Sequence, residues 1–248
     1  MHFFGDEFYA RSRHTRDEQR QAPTPPRPET YKSFPDAKRI TLPEPVTDGG
    51  PGLWRVIQSR HSIRQYSNDP ISLRTLSQLL WASSGRTHER DNEHRQFRTA
   101  PSAGATYPFD TYLIVNRVEE LEPGRYHYDV REHALELLAP GSLGEAAAAA
   151  CMGQKTCATA AVVFAWAATI ERTRWRYGER AYRYILIDAG HIQQNLHLAA
   201  TALGLGCCAI GAFYDDEVNA LFAVDAAREP VLYLSTVGHP AEAGESAR

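Results

Sequence analysis

Two arginines and a serine lie within five positions of the chain, in the stretch RHSIRQYSNDPIS at residues 60–72. The forked guanidinium of arginine binds phosphate oxygens in pairs, and a serine hydroxyl adds a further hydrogen bond. Arg60, Ser62 and Arg64 could therefore hold a phosphate group. A solvated basic turn has the same residue types, so this stretch alone favours neither interpretation.

A loop of small residues, TAPSAGATYP, follows at residues 99–108. Pro101 and Pro108 stiffen its ends, and the side chains at residues 102–105 are too small to shield the main chain. Such a loop lets a flat ligand approach the backbone closely. An ordinary tight connection between two elements is the alternative.

The third stretch is GCCAIGAFYDDE at residues 206–217, where Gly206 and Gly211 flank an apolar segment that runs into an acidic helix start. Backbone N–H groups at such a place can donate to a ring heteroatom or an anion, although a plain strand-to-helix turn would look the same. Together the three stretches suit a phosphorylated planar cofactor. No GxGxxG follows a strand and no Walker motif is present, so neither a dinucleotide site nor a nucleoside triphosphate site is indicated.

The composition argues against several classes of protein. Of 248 residues, 43% are apolar and 23% are charged, and the net charge is -3, which does not indicate binding to nucleic acid or to a membrane surface. The longest apolar run, around residues 158–168, is too short to span a bilayer. The four cysteines form no CxxC pair and are expected to be buried free thiols in a reducing compartment, so we expect a cytoplasmic protein. No set of His, Cys, Asp or Glu has metal-site spacing, so we expect no metal.

The chain divides into an arm and a domain that positions these stretches. Residues 1–50 are polar and rich in proline, which predicts an extended arm whose composition is compatible with disorder at its start. Residues 51–248 carry the periodic patterns of a folded domain. Helices and strands interleave there with one hairpin, so we expect an α+β fold with a mixed sheet. The predicted helices are 53–60, 72–85, 142–153 and a central one at 178–204, and the predicted strands are 111–116, 124–130, 133–139, 160–168 and 231–238.

The three stretches, together with several others and in their order along the chain, resemble the nitroreductase-like flavoproteins. They resemble more closely the SagB-type dehydrogenase branch of that family, which includes azoline dehydrogenases. The resemblance covers roughly residues 50–240 and implies a dimeric nitroreductase-like fold, with a mixed central β-sheet flanked by helices and a long central helix. The arm segment YKSFPDAKRITLPEP also resembles the leader that precedes this domain. The matching stretches of the domain are RHSIRQYS, LSQLLWASSG, RTAPSAGATYP, GRYHYD, YGERAYRYILIDAGHIQQNLHLAATALGLG, IGAFYDD and LYLSTVG.

The resemblance further implies a homodimer with FMN at the subunit interface. In that arrangement the arginine-rich stretch holds the FMN phosphate and ribityl chain, and the small-residue loop reaches the flavin from the other protomer. Backbone N–H groups after the third stretch's apolar segment lie near the flavin N5/O4 edge, and a glutamine makes a polar contact with the ring. The implied cofactor-binding residues are Arg60, His61, Ser62, Arg64, Pro101, Ser102, Ala103, Gly104, Gln154, Ile210 and Gly211.

The azoline branch carries a Lys-Tyr pair that aligns with Arg176 and Tyr177, so these two are the implied catalytic residues. Tyr177 is retained, whereas Arg176 replaces the lysine. Arginine does not deprotonate in a protein, so Arg176 cannot act as a base; it could stabilise negative charge on Tyr177 or orient a carbonyl. This departure leaves room for a substrate other than an azoline, and simple packing beside the helix is the alternative for Tyr177.

Three functions are therefore considered. The first is an FMN-dependent oxidoreductase that oxidises a thiazoline or oxazoline in a peptide or carrier-bound natural-product intermediate. The second is a reductase that uses NAD(P)H to reduce nitroaromatics, quinones or enones, and it needs an open face above the flavin. The third is a non-catalytic scaffold with the same fold, which the presence of Arg60 and the small-residue loop disfavours. The charged loop at residues 86–98 and the arm argue mildly against the open face that the reductase needs.

Overall fold

Seven strands form one sheet in the computed structural model, which describes residues 4–13, 16, 27–87 and 97–241. In chain order the strands are β1 Lys38–Thr41, β2 Phe109–Val115, β3 Gly124–Asp129, β4 Ala134–Pro140, β5 Val162–Ala168, β6 Gly206–Ile210 and β7 Val231–Gly238. Across the sheet their order is β1-β4-β3-β2-β5-β7-β6. The predicted hairpin is β3 with β4, which confirms that part of the sequence analysis.

Helices cover both faces of this sheet. They are α1 Phe4–Arg11, α2 Leu53–Ser59, α3 Leu73–Ser84, α4 Gly144–Ala150, α5 Thr156–Thr159, α6 Glu171–Tyr177, α7 Ala181–Ala202 and α8 Asp215–Phe222. The buried side chains of α3 and α7 belong to one core cluster, and those of α4 and α8 belong to a second cluster. The α+β class and the long central helix are therefore confirmed.

Strand β5 shows how the two clusters meet, because all of its residues are buried. Phe164 and Trp166 point into the cluster with α3 and α7, whereas Val163 and Ala165 point into the cluster with α4 and α8. Successive side chains of a strand face opposite sides of the sheet. Because both sides are covered, the strand is continuously apolar instead of alternating between apolar and polar residues.

The directions of the strands differ from the mixed sheet that was expected. All six pairings between the named strands are antiparallel. Interleaved helices and strands suggest that neighbouring strands run parallel. The chain does cross over through α6 and α7, so that β6 runs parallel to β5. However, β7 lies between them and pairs antiparallel with both. The last strand of the chain thus separates the two parallel strands.

Of the two helices that matter most for the site, α3 has the predicted ends and α7 does not. Ser72 caps α3 by accepting a hydrogen bond from the Thr75 N–H, and the helix ends at Gly85. Helix α7 is shorter than predicted, because residues Gly178–Arg180 form a separate 3-10 turn before it. Its buried residues include an acid, Asp188, among apolar neighbours.

The described part of the arm is not uniformly extended, since it contains α1 and β1. Strand β1 pairs with the outer strand β4. Buried carboxylates anchor arm residues in and before β1: Lys32 pairs with Glu229, and Arg39 of β1 pairs with both Asp129 and Glu136. The segment from Lys32 to Thr41 is therefore part of the folded domain.

Three further observations bear on the expected class of protein. None of the helices in the described residues is long and apolar enough to cross a membrane. In those residues, no three His, Cys, Asp or Glu side chains are placed to hold a metal ion. All four cysteines are buried and free, as the sequence predicted.

The anchoring of the arm is testable through Glu136, whose side chain is fully buried. Burial alone would raise the pKa of Glu136, but hydrogen bonds from His127 and the Phe34 N–H, with the charges of His127 and Arg39, lower it overall. A lowered pKa means that the carboxylate stabilises the fold at neutral pH, and that this contribution is lost as the pH falls through its folded-state pKa.

We expect Glu136→Gln to lower the free energy of unfolding by about 3 kcal/mol, because it leaves buried partners unpaired. The difference from wild type should shrink in acid, since the wild-type carboxylate is then protonated. Urea denaturation at neutral and acidic pH measures both effects. Glu132→Gln, on an exposed residue of the β3–β4 turn, is the matched control, and an equal effect of the two variants would contradict the anchoring role.

Candidate active site

The arginine-rich stretch follows α2 and lies against the start of β6 and the C-terminal half of α7. The Ile63 N–H donates to the Cys207 carbonyl at 3.0 Å. His197 Nε2 lies 3.1 Å from the His61 carbonyl. A Cβ on Gly206 would come within 2.7 Å of the Ile63 side chain, so only glycine allows this approach. These contacts determine where the two arginines emerge.

Both arginines are free to bind an anion. Arg64, His61 and Ser62 are exposed and Arg60 is half-buried, and neither arginine forms an ion pair with another described residue.

The thiols beside these arginines do not neutralise them. Burial raises the pKa of Cys207 to about 12 and also raises that of Cys208, although the charge of Arg64 opposes the second shift. Both thiols therefore stay protonated at neutral pH. Burial lowers the pKa of the neighbouring His197, so it is neutral as well. The positive charge of Arg60 and Arg64 is left without a compensating anion from these side chains.

The small-residue loop is held by Asp188 of α7, a residue that the sequence analysis missed. Ser102 Oγ donates to Asp188 Oδ2 at 2.5 Å, and the Ala103 N–H donates to Oδ1 at 3.3 Å. Ser102 Oγ also accepts the Tyr107 N–H at 3.0 Å. Burial raises the pKa of Asp188, and the two hydrogen bonds that it accepts only partly offset this. The sequence did carry a signal that could have revealed Asp188: this acid falls on the apolar face of α7, at the same spacing as Ile185, Ala189 and Ile192.

The conformation of the loop brings Gly104 against the predicted catalytic pair. Gly104 has φ of +59°, and a Cβ there would overlap the Tyr177 hydroxyl and lie 3.2 Å from Nη1 of Arg176. Tyr177 is half-buried, and its ring meets the Tyr184 ring edge-on at 4.7 Å between centroids. The Arg176 guanidinium carbon lies 5.6 Å from the centre of the Tyr177 ring. Two separate predictions, the loop and the Arg-Tyr pair, therefore meet at one place.

Arg98 lines a small cavity behind this loop, together with Ser102 and Asp188. Its side chain is buried between the rings of Tyr31 and Tyr107. Its Nε and Nη2 atoms have no hydrogen-bond partner in the described part of the chain. The sequence had placed Arg98 in a charged loop, of which residues 88–96 lie outside the described residues.

The third group of predicted residues lies at the far end of β6. Ile210 is the buried last residue of that strand, and Gly211 is exposed. Gln154, in the turn before α5, donates from Nε2 to the Cys151 carbonyl at 2.9 Å and to the Ala212 carbonyl at 2.8 Å. Gln154 thus joins its own turn to the residue that follows Gly211.

The predicted residues therefore form three groups along two elements. Asp188 holds the loop, and His197 contacts the arginine-rich stretch. The two residues are nine positions apart on α7, which at 1.5 Å per residue is a distance of about 14 Å along the helix. Strand β6 separates that stretch from Gly211 by about 13–16 Å. Pro101, near the start of the loop, is exposed. One chain thus carries a cationic group and a Tyr-Arg group at opposite ends of a shared helix.

Comparison with known proteins gives a consistent match. A model of the nitroreductase family matches residues 57–239. MJ1384 of Methanocaldococcus jannaschii, provisionally named a nitroreductase, is 40% identical over 187 residues, which are 75% of this chain and 90% of MJ1384. The trifolitoxin-processing protein TfxB of Rhizobium leguminosarum bv. trifolii is 34% identical over 144 residues, but the match covers only 54% of this chain and 38% of TfxB.

Two solved structures resemble the fold. A protein of Anabaena variabilis, also provisionally named a nitroreductase, has a TM-score of 0.73 and 28% identity, and the match covers 84% of this chain and 42% of that one. A protein of Desulfovibrio desulfuricans, solved in complex with FMN, has a TM-score of 0.54 and 23% identity over 81% of this chain and 92% of that one. The expected nitroreductase-like fold is confirmed.

The contact between Gly104 and Tyr177 is testable by adding one methyl group. We expect Gly104→Ala to displace Tyr177 and to lower the free energy of unfolding by more than the ~1 kcal/mol that positive φ alone costs an alanine. Gly204→Ala is the matched control, because Gly204 has φ of +73° with no atom within 4 Å of the added Cβ. Thermal unfolding, with near-ultraviolet circular dichroism to follow the tyrosines, would compare them. Equal losses of stability and unchanged tyrosine spectra in both variants would contradict the contact.

Proposed function

We propose a function on one premise: the chain belongs to the nitroreductase family. It is an oxidoreductase of that family, and we infer that it uses FMN to oxidise a thiazoline or oxazoline ring in a peptide or carrier-bound intermediate. The observation that carries this proposal is the meeting of Gly104 with Arg176 and Tyr177. It supports the proposal because the loop that we expect at the flavin lies against the pair that we expect at the substrate.

The residues at the cationic group fit a phosphate-bearing cofactor. Arg60 and Arg64 have no ion pair with described residues, and Ser62 is exposed between them. Neutral thiols and a neutral His197 leave this charge available for the FMN phosphate and ribityl chain, with His61 alongside. Gln154 holds the turn after β6 in place, where Ile210 and Gly211 would offer N–H groups to the ring edge. When bound, FMN supplies a hydride acceptor and donor at N5.

The separation of the two groups along α7 supports a homodimer. About 14 Å lies between the cationic group and the small-residue loop of one chain. In the proposed dimer, Pro101, Ser102, Ala103 and Gly104 reach the cofactor held by the partner. Large apolar side chains that are exposed on α2 and α7 support such an interface: Leu53, Trp54, Ile57, Leu186 and Ile187.

Tyr177 and Arg176 divide the remaining work in this proposal. Oxidation of an azoline requires a base that removes the proton from the ring α carbon as hydride leaves. Tyr177 takes that proton at its phenolate oxygen, so this role requires the side chain to have lost its own proton before the substrate reacts. Arg176, which stays protonated, orients a carbonyl of the substrate or stabilises negative charge. Asp188 acts through the loop as a positioning residue, because it fixes Ser102 and Ala103 next to Gly104.

A nicotinamide-dependent reductase is the second candidate. Of the two curated relatives described above, MJ1384 has the more extensive match, and that protein carries a nitroreductase name. The match to TfxB, named for trifolitoxin processing, supports a peptide substrate instead. The two functions differ in what reduces the flavin, so one anaerobic experiment separates them. The scaffold alternative requires a protein that binds no flavin.

The cationic group predicts the fate of the cofactor in a double variant. We expect Arg60→Ala with Arg64→Ala to lose FMN, since each charge-assisted hydrogen bond contributes about 1.5–3 kcal/mol. Flavin absorbance per protein after desalting measures the content. Arg55→Ala changes an exposed arginine of α2 that lies five residues before Arg60, and this variant should keep its FMN. Full flavin content in the double variant would remove the phosphate assignment.

The Tyr177 role predicts a loss of turnover without a loss of cofactor. Mixed anaerobically with a thiazoline-containing peptide, the wild-type protein should lose its oxidised flavin band, whereas NADH and NADPH should act slowly. Tyr177→Phe should keep FMN and slow this bleaching by about 10²–10⁴-fold, the usual share of a general base. Tyr182→Phe, which removes only a hydroxyl bonded to Arg174, is the control. Rapid bleaching by NADH or NADPH, with none by the peptide, would establish the reductase.

A further inference from the structure

Three arginines form a surface beside Tyr177, at the start of α7. We call Arg176, Arg180 and Arg183 the arginine surface. Arg176 is exposed and lies against Gly104. Arg180 donates from Nε to the Tyr184 hydroxyl at 3.0 Å, and the Tyr184 ring packs on Tyr177. The surface is therefore continuous with the Tyr-Arg group of the candidate active site.

These three guanidinium groups have no carboxylate partner in the described part of the chain. Their neighbours on α6 are different, because Arg172 pairs with Asp110 at 2.9 Å and Arg174 pairs with Glu171 at 2.5 Å. Uncompensated guanidinium groups attract anions, and they bind carboxylates in pairs of hydrogen bonds. The surface thus has a surplus of positive charge although the whole chain has a net charge of -3.

Helix α1 now occupies part of this surface. Arg180 donates to the Ser12 carbonyl at 2.8 Å, and Arg183 donates to the Tyr9 carbonyl at 2.6 Å and to Ser12 Oγ at 2.8 Å. The Arg183 guanidinium also lies 4.5 Å from the centre of the Tyr9 ring. These carbonyls are at the C-terminal end of α1, where cations stabilise a helix. The surface therefore already binds the main chain of a peptide segment.

The attachment of α1 is weak enough to be reversed. None of the residues of α1 is buried, and Phe4 and Tyr9 are 80% and 64% exposed. Only Ser12, just after the helix, is buried. A helix of eight residues is marginal without tertiary support. Polar contacts at one end therefore hold α1, and a competing ligand could replace it.

We propose that the arginine surface is a binding site for an acidic peptide, and that α1 occupies this site until the peptide displaces it. A peptide fits because the arginines already hold main-chain carbonyls and an aromatic side chain. Acidic residues fit because the guanidinium groups lack carboxylate partners. The inference rests on the proposed function in one respect: the bound peptide would then lie next to Tyr177. Its binding, however, is measurable without turnover.

Fluorescence anisotropy of the full-length, FMN-loaded protein tests the site, with a fluorescein-labelled octapeptide of alternating Glu and Gly as the probe. We expect binding that weakens with added salt, because exposed charges are screened. Arg180→Gln with Arg183→Gln should weaken it by about tenfold or more, since exposed ion pairs contribute modestly and two are lost. Arg74→Gln, an exposed arginine on α3, should bind as wild type does.

A second variant tests the competition by α1. Phe8→Pro interrupts the helix in its interior while leaving the arginines in place, so the probe should bind this variant more tightly than wild type. Phe8→Ala removes the same ring without breaking the helix, and its affinity should lie closer to that of wild type. Unchanged or weaker binding by Phe8→Pro would overturn the competition.

Other outcomes would overturn the site itself. Equal affinity for the probe in the arginine double variant and in wild type would do so, as would equal affinity for a dT8 oligonucleotide, which would show a general polyanion surface. If the double variant does not fold, Arg176→Gln replaces it, because Arg176 is exposed and does not hold α1; unchanged binding would again contradict the proposal. FMN content and flavin bleaching report separately on the proposed function, so a failed binding test leaves that function standing.

Discussion

One buried carboxylate, that of Asp188, determines the geometry of the candidate active site. It stands on the apolar side of the central helix and accepts hydrogen bonds from Ser102 and the Ala103 N–H. Burial raises its pKa, so the folded chain keeps an acid where its charged form is disfavoured. The loop that it holds has positive φ at Gly104, Ala105 and Tyr107. A strained loop of this kind persists only where its surroundings specify it, and Asp188 accepts two of the hydrogen bonds that do so.

The same helix links the other parts of the molecule. Its middle packs on the sheet, its C-terminal half supports the arginine-rich stretch through His197, and its first turn carries Arg183 and Tyr184. A rigid helix maintains fixed distances between such groups. A change in the way α7 packs would therefore move the cationic group, the loop and the arginine surface together. Helix α7 therefore carries both a continuous apolar side, which packs in the core, and a buried acid, which holds the loop.

Charge is distributed differently at the two ends of α7. At the cationic group, buried thiols and a buried histidine stay neutral, so that Arg60 and Arg64 keep their charge for an anion. At the arginine surface, Arg180 and Arg183 bind the carbonyl oxygens of Ser12 and Tyr9 at the end of α1, and these oxygens carry only partial charge. In contrast, the buried carboxylates Glu136 and Asp129 are satisfied by Arg39 and hold the arm to the sheet. Burial with a partner stabilises structure, whereas charge left without one is available for binding.

The local patterns in the sequence determined the elements. Ser72 and Gly85 predicted the ends of α3, the apolar run predicted β5, and the four-and-three spacing predicted α7, because caps and periodicity depend only on near neighbours. Family resemblance brought together the candidate residues, but their roles are still predictions. Only the tertiary structure decided that β7 lies between β5 and β6, that Asp188 holds the loop, that Gly104 touches Tyr177, and that α1 covers Arg180 and Arg183. These contacts join residues far apart in the chain, and no local pattern encodes which distant partner a buried acid or an unpaired arginine will meet.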